Sequence, residues 1–182
     1  MSHNTWIHRI ARAVVVRPLA ATPVTPNQVT TARLGTGLAA AAMLAVGHGA
    51  WPDIAAGAFV LAMVLDRADG DLARATGRTS PGGHLYDLVA DALCNALIFF
   101  ALGIGLRDGA FGPWAAPMGA LAGVAIVAIL GMVVRIEAAN GARAAELGAA
   151  AGFDPDDAML IVPLAIWFGG STILLAAAAV GA

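Results

Sequence analysis

LDRADGDLARATGRTSPGGHLYDLVADAL, residues 65–93, sets four aspartates, Asp66, Asp69, Asp87 and Asp91, into an otherwise apolar helical pattern. An ionised aspartate facing lipid costs about 2.5–3.5 kcal/mol. Four such groups left unpaired would cost on the order of 10 kcal/mol, comparable to the whole stability of a domain. They must therefore face something that compensates them. Asp66 and Asp69 are i,i+3, and Asp87 and Asp91 are i,i+4, so each pair occupies one helix face. The loop between the pairs is short, which predicts antiparallel neighbouring helices with opposed acidic faces. Asp71 is turned roughly 140° from Asp66 around its helix and reads as a solvated or capping residue.

Outward from this stretch the chain reads as membrane. Of 182 residues, 59% are hydrophobic and 12% charged, with a mean hydropathy of +0.79. A soluble domain would carry about a quarter charged residues. The apolar residues fall into blocks of roughly 20, the length that crosses about 30 Å of hydrocarbon as a helix. The expected spans are residues 27–46, 51–74, 83–106 and 113–140, with Gly and Pro clusters in the gaps. A last apolar stretch, from about residue 158 to the C-terminus, has Gly169-Gly170-Ser171 in its middle. It is long enough for one tilted span and too short for two full crossings. The fold class is thus an all-α integral membrane protein of five spans, a short broken sixth being the alternative. One domain covers residues 1–182, with residues 27–182 forming the transmembrane helices.

Residues 1–17 show no long apolar core ahead of a small-residue cleavage site, so no cleaved signal peptide is expected, and residues 1–22 read instead as an interfacial helix. Trp6, Ile7, Ile10 and Val14 alternate there with Arg9, Arg12 and Arg17, which suits an interfacial helix with its apolar side in lipid. All ten basic residues are arginines. With the N-terminus inside, all but Arg107 fall on or near the inner side, a positive-inside bias that predicts a cytoplasmic N-terminus and acidic cluster in an inner-membrane protein. The single cysteine, Cys94, excludes a disulfide framework and a cysteine metal site. No nucleic-acid partner is expected.

Hard divalent cations prefer carboxylate oxygens, and Mg²⁺ is typically shared between carboxylates and substrate phosphates. Four carboxylates with Arg74 nearby suit a pyrophosphate held through metal, and two ions could also stabilise a leaving group. Gly70, Ala73 and Gly83 remove bulk beside the acids. That leaves room for a base or a phosphate, although small residues also serve close helix packing.

The pattern Asp66-x2-Asp69-Gly70-x2-Ala73-Arg74-x8-Gly83-x3-Asp87-x3-Asp91 resembles the signature of the CDP-alcohol phosphotransferases at every fixed position. Residues 25–30, Thr-Pro-Asn-Gln-Val-Thr, look like that family's opening. The resemblance implies a metal-dependent membrane enzyme of phospholipid biosynthesis. It would move a phospho-alcohol group from a CDP-alcohol, by family frequency CDP-diacylglycerol, to an acceptor alcohol and release CMP. It further implies Asp66, Asp69 and Asp87 as ligands of Mg²⁺ or Mn²⁺. Asp91 becomes the base that deprotonates the acceptor and an additional metal contact. Asn27, Gly70, Ala73, Arg74 and Gly83 would line the CDP pocket, with membrane lipids around the protein and a homodimer as its assembly.

On the acceptor side, Arg135 and Arg143 are candidates for holding an acceptor phosphate, with helix-end snorkelling an equal explanation. The chain departs from the inositol-phosphate branch at Asp154-Pro155-Asp156-Asp157. This acidic run would repel a phosphorylated acceptor, or else it caps the final helix. The lack of a full sixth span is a second departure, and it counts against the family's usual dimer packing. His84 and Tyr86 lie near the site, His84 more as a structural group than as a ligand. Two rivals share the acids: an intramembrane prenyltransferase, whose acids would be split between two distant motifs, and a cation carrier, which needs none of Gly70, Ala73, Arg74 and Gly83.

Overall fold

A computed structural model describes residues 6–141 and 155–182, and among these every regular element is helical. The opening Thr-Pro-Asn-Gln is a helix start by its chemistry. Thr25 accepts from the Gln28 amide, the Gln28 side chain accepts from the Thr25 amide at 2.8 Å, and Pro26 takes the first helical position. Helix α3, Pro26–Val46, follows from it. (The short α1, Trp6–Ala11, and α2, Arg17–Leu19, precede it.) Helices α4, Trp51–Thr76, α5, Pro81–Gly105, and α6, Ala115–Asn140, complete the bundle. Ser80 caps α5 by accepting from the Gly83 amide at 3.0 Å.

Small residues set the helix distances. Gly47, at φ 77°, ends α3 against Gly105, where a Cβ would come within 2.1 Å of the Gly105 carbonyl oxygen. Gly119 of α6 lies against Gly103 and the Phe99 carbonyl of α5. These approaches fix α3 and α5 as parallel and α6 as antiparallel to α5, and the contacts Thr30–Asp69 and Arg33–Asp66 fix α4 as antiparallel to α3. The core between them holds Leu44, Phe59, Ile98, Leu102 and Val162. Three stretches are long and apolar enough to cross a membrane: Pro26–Val46, Pro81–Gly105 and Gly112–Asn140. On α6, Leu121, Val124, Val127 and Ile129 stay exposed, as side chains facing acyl chains would.

Two expectations change. The final stretch is not one tilted helix. Beyond a 3₁₀ turn at Pro155–Leu160, α7, Ile161–Trp167, stops where the amides of Gly169 and Gly170 turn back to the carbonyls of Ile166 and Ala165. Gly169 takes φ 72°, and α8, Ser171–Gly181, starts afresh. Helix α7 packs on α4 and α8 on α6, the arrangement of the broken alternative. Neither piece, at 7 and 11 residues, is long enough to cross by itself.

The N-terminal segment also differs. Its buried stripe, Ile7, Ala11 and Val16, packs on protein; Ala11 and Val16 share a small core with Val29, Ala68 and Leu72, while Ile10 and Val14 remain exposed. The small Ala11 lets this helix approach α4, so its apolar residues divide between protein and surroundings. Between α1 and α2, Arg12–Val16 winds as a π-helix.

Candidate active site

Thr30 and Arg33 lie one turn apart on α3, Asp66 and Asp69 on α4, and Asp87 and Asp91 on α5. The three faces meet at the end of the bundle where α4 stops and α5 begins. Ligand oxygens of Asp66, Asp69 and Asp87 all lie within 4.8 Å of one another. Asp69 is buried, and its Oδ2 accepts from the Thr30 hydroxyl at 2.7 Å. Asp91, one turn further along α5, accepts from the Asn95 amide at 3.0 and 3.1 Å.

Arg33 holds this group together. Its buried guanidinium pairs with Asp66 and Asp87 at 2.9 Å each and with Asp91 at 2.5 Å. Arg67 pairs with the other oxygen of Asp66 at 2.6 Å. As ionised groups, four carboxylates meet two guanidiniums here, an excess of two negative charges. A low-dielectric site with that excess and three converging carboxylates fits hard divalent cations. Arg33 went unread in the sequence except as inner-side charge. The signal was present: an arginine inside an apolar span needs a partner, and buried acids were available.

The residues expected around a nucleotide gather at the same end. A Cβ on Gly83 would sit 3.2 Å from Asn27 Oδ1, which places α5 and the start of α3 side by side there. A Cβ on Gly70 would lie 3.4 Å from both terminal nitrogens of Arg74, so that guanidinium folds back over Gly70. Ala73 is half-buried on the same helix.

Asp71 corrects the sequence reading. It is buried rather than solvated, and it binds Arg12 Nε at 2.6 Å and Arg74 Nη2 at 2.6 Å. The reason is tertiary: the N-terminal helix covers that face of α4 and supplies a cation from 59 residues away. His84 pairs with Glu137 of α6 at 2.9 Å, and Tyr86 with Thr31 of α3 at 3.0 Å, so both tie α5 to its neighbours. Glu137 was not anticipated. Arg135 is exposed and lies about 200° around α6 from Glu137, off the face that meets α5. Arg143 and Asp154 lie outside the described residues.

The model of the family described as CDP-alcohol phosphatidyltransferase matches residues 23–181. A protein of Rubrobacter xylanophilus named "Bifunctional IPC transferase and DIPP synthase" is 41% identical over 108 residues. That alignment covers 55% of this chain and 23% of the relative, so the chain matches about a quarter of the relative's length.

Proposed function

This chain belongs to the CDP-alcohol phosphatidyltransferase family, and on that premise we propose that it transfers a phosphatidyl group from CDP-diacylglycerol to an acceptor alcohol, releasing CMP. The observation that carries the reading is the convergence of Asp66, Asp69 and Asp87 from two helices, with Asp91 one turn away. Membership over most of the chain sets aside the prenyltransferase and carrier readings.

In this proposal Asp66, Asp69 and Asp87 would hold Mg²⁺ or Mn²⁺, two ions in all, with Asp91 as a further ligand. Bound there, the ions would neutralise the donor pyrophosphate and stabilise charge on departing CMP. Asn27, Gly70, Ala73, Arg74 and Gly83 receive the CDP group. Gly70 and Gly83 carry no side chain, which lets Arg74 and Asn27 lie close against them, and Arg74 supplies a planar fork for phosphate oxygens. Asp91, partly exposed and held by Asn95, takes the proton of the acceptor hydroxyl. The acceptor oxygen then attacks the β-phosphorus, and the bond to CMP breaks. Positioning and charge neutralisation supply most of the acceleration in such transfers.

The site lies on the cytoplasmic side of the inner membrane, within one domain of residues 1–182 in which α4 also crosses. Arginine placement supports this sidedness. Arg135 and Arg143 are assigned to the acceptor end, and a homodimer remains the proposed assembly. Membranes containing the protein, given CDP-diacylglycerol, Mg²⁺ or Mn²⁺ and a panel of alcohols, should release CMP and form one new lipid, whose identity names the acceptor. No CMP release from any CDP-alcohol would overturn the proposal.

A further inference from the structure

Asp71 stands inside the acidic stretch but outside the family signature, and the N-terminal helix that reaches it precedes the matched residues 23–181. We infer that Arg12 and Asp71 form a latch through which the N-terminal helix positions Arg74 for the donor. The inference rests on the proposed function and names a positioning residue for the same site.

Three features point to it. The Asp71 side chain is 4% exposed and shared between two arginines, Oδ2 accepting from Arg12 Nε and Oδ1 from Arg74 Nη2, both at 2.6 Å. A second, longer bond runs from Arg12 Nη2 to Oδ1 at 3.3 Å. A carboxylate this buried is compensated by both partners, and removing one leaves it with a single cation. Arg74 is confined on two sides, by Asp71 at its edge and by Gly70 beneath. One-third of its side chain stays exposed, and a guanidinium has five donors, so the outer edge remains available to a phosphate. Finally, Arg12 opens the π-helical segment Arg12–Val16, while Ala11 just before it and Val16 at its end pack into the core with Ala68 and Leu72. The wider turn lets one short segment bury Ala11 and Val16 and still aim Arg12 at Asp71.

Untethered, Arg74 would be free to swing toward the net-negative cluster one to two turns earlier on α4. The latch keeps it facing outward. The segment outside the family match therefore contributes to donor affinity without touching the donor.

The test is a double-mutant cycle on the full chain, reading the dissociation constant of CMP with Mn²⁺ present and KM for CDP-diacylglycerol. Asp71→Asn should raise both by about tenfold, the scale of one charge-assisted hydrogen bond, with turnover at saturating donor altered less than about twofold. Asp71→Glu should recover most of the loss. In an Arg74→Ala background, Asp71→Asn should add less than about twofold, because its effect passes through Arg74. Arg12 is 43% exposed, so Arg12→Gln is the milder variant if Asp71→Asn does not fold, and it should raise KM by about threefold. Unchanged KM in Asp71→Asn and Arg12→Gln, or equal effects with and without Arg74, overturns the latch while leaving the proposed function standing. A native chain that neither binds nor releases CMP sinks the functional reading and the latch with it.

Discussion

Arg33 Nη1 and Asp87 Oδ1 meet at 2.9 Å across α3 and α5, and the same guanidinium reaches Asp66 on α4 and Asp91 on α5. One cation thus ties three helices at the level where the acids converge. The like charges are held close enough to share a ligand, and an excess of negative charge is left for metal.

Breaking that tie should be severe. Arg33→Met leaves three carboxylates without their common partner and should lower stability by about 3 kcal/mol, the low end for a buried pair because Asp87 and Asp91 are partly exposed. Added Mg²⁺ should restore part of the loss. Thermal unfolding in detergent with Mg²⁺ and with chelator checks both statements, and a variant as stable as the native chain in chelator would refute the first.

Asp91→Asn should reduce turnover by about a thousandfold, within the range for loss of a general base, while leaving CMP binding within a few-fold. Rapid-quench turnover beside calorimetric CMP titration separates the two quantities. Full activity would remove Asp91 from proton transfer.

Metal removal should abolish CMP release reversibly. Thr30→Val deletes the hydroxyl that orients Asp69 and should weaken Mn²⁺ binding by about tenfold, as loss of an outer-sphere partner does. Mn²⁺ titration by electron paramagnetic resonance reads this without reference to activity.

Helix spacing is tested at α6. Gly119→Ala places a Cβ 2.4 Å from the Phe99 carbonyl oxygen, a backbone atom that cannot step aside, and should destabilise by about 1–3 kcal/mol. Gly35→Ala, with no atom within 4 Å, should be neutral or slightly stabilising. Equal melting temperatures for the two variants would contradict the packing described.

Much of the fold was legible because each long helix carries its own signals. The helices expected over 27–46, 51–74, 83–106 and 113–140 match α3 to α6 to within two residues at each end, and of these α3, α5 and α6 are long and apolar enough to cross a membrane. Pro, Gly and Thr mark the boundaries through local hydrogen bonding, which needs no distant partner. The acid pairs on α4 and α5 were equally legible, since i,i+3 and i,i+4 spacings fix a shared face whatever surrounds the helix. The break at 168–170 was visible as Gly169-Gly170. Whether the chain would bend through it depended on the faces that α4 and α6 offered α7 and α8.

What the sequence alone determined, then, is an apolar helical protein with four aspartates on two facing stripes, properties of periodicity and of the free energy of charge in lipid. The tertiary structure decided which cations meet those acids. Arg33 entered the cluster from α3, and Arg12 reached Asp71 across 59 positions, two pairings no local pattern encodes. The reason is physical: a buried carboxylate must be compensated, but any helix that packs within reach can supply the charge, and only the packing chooses which one does.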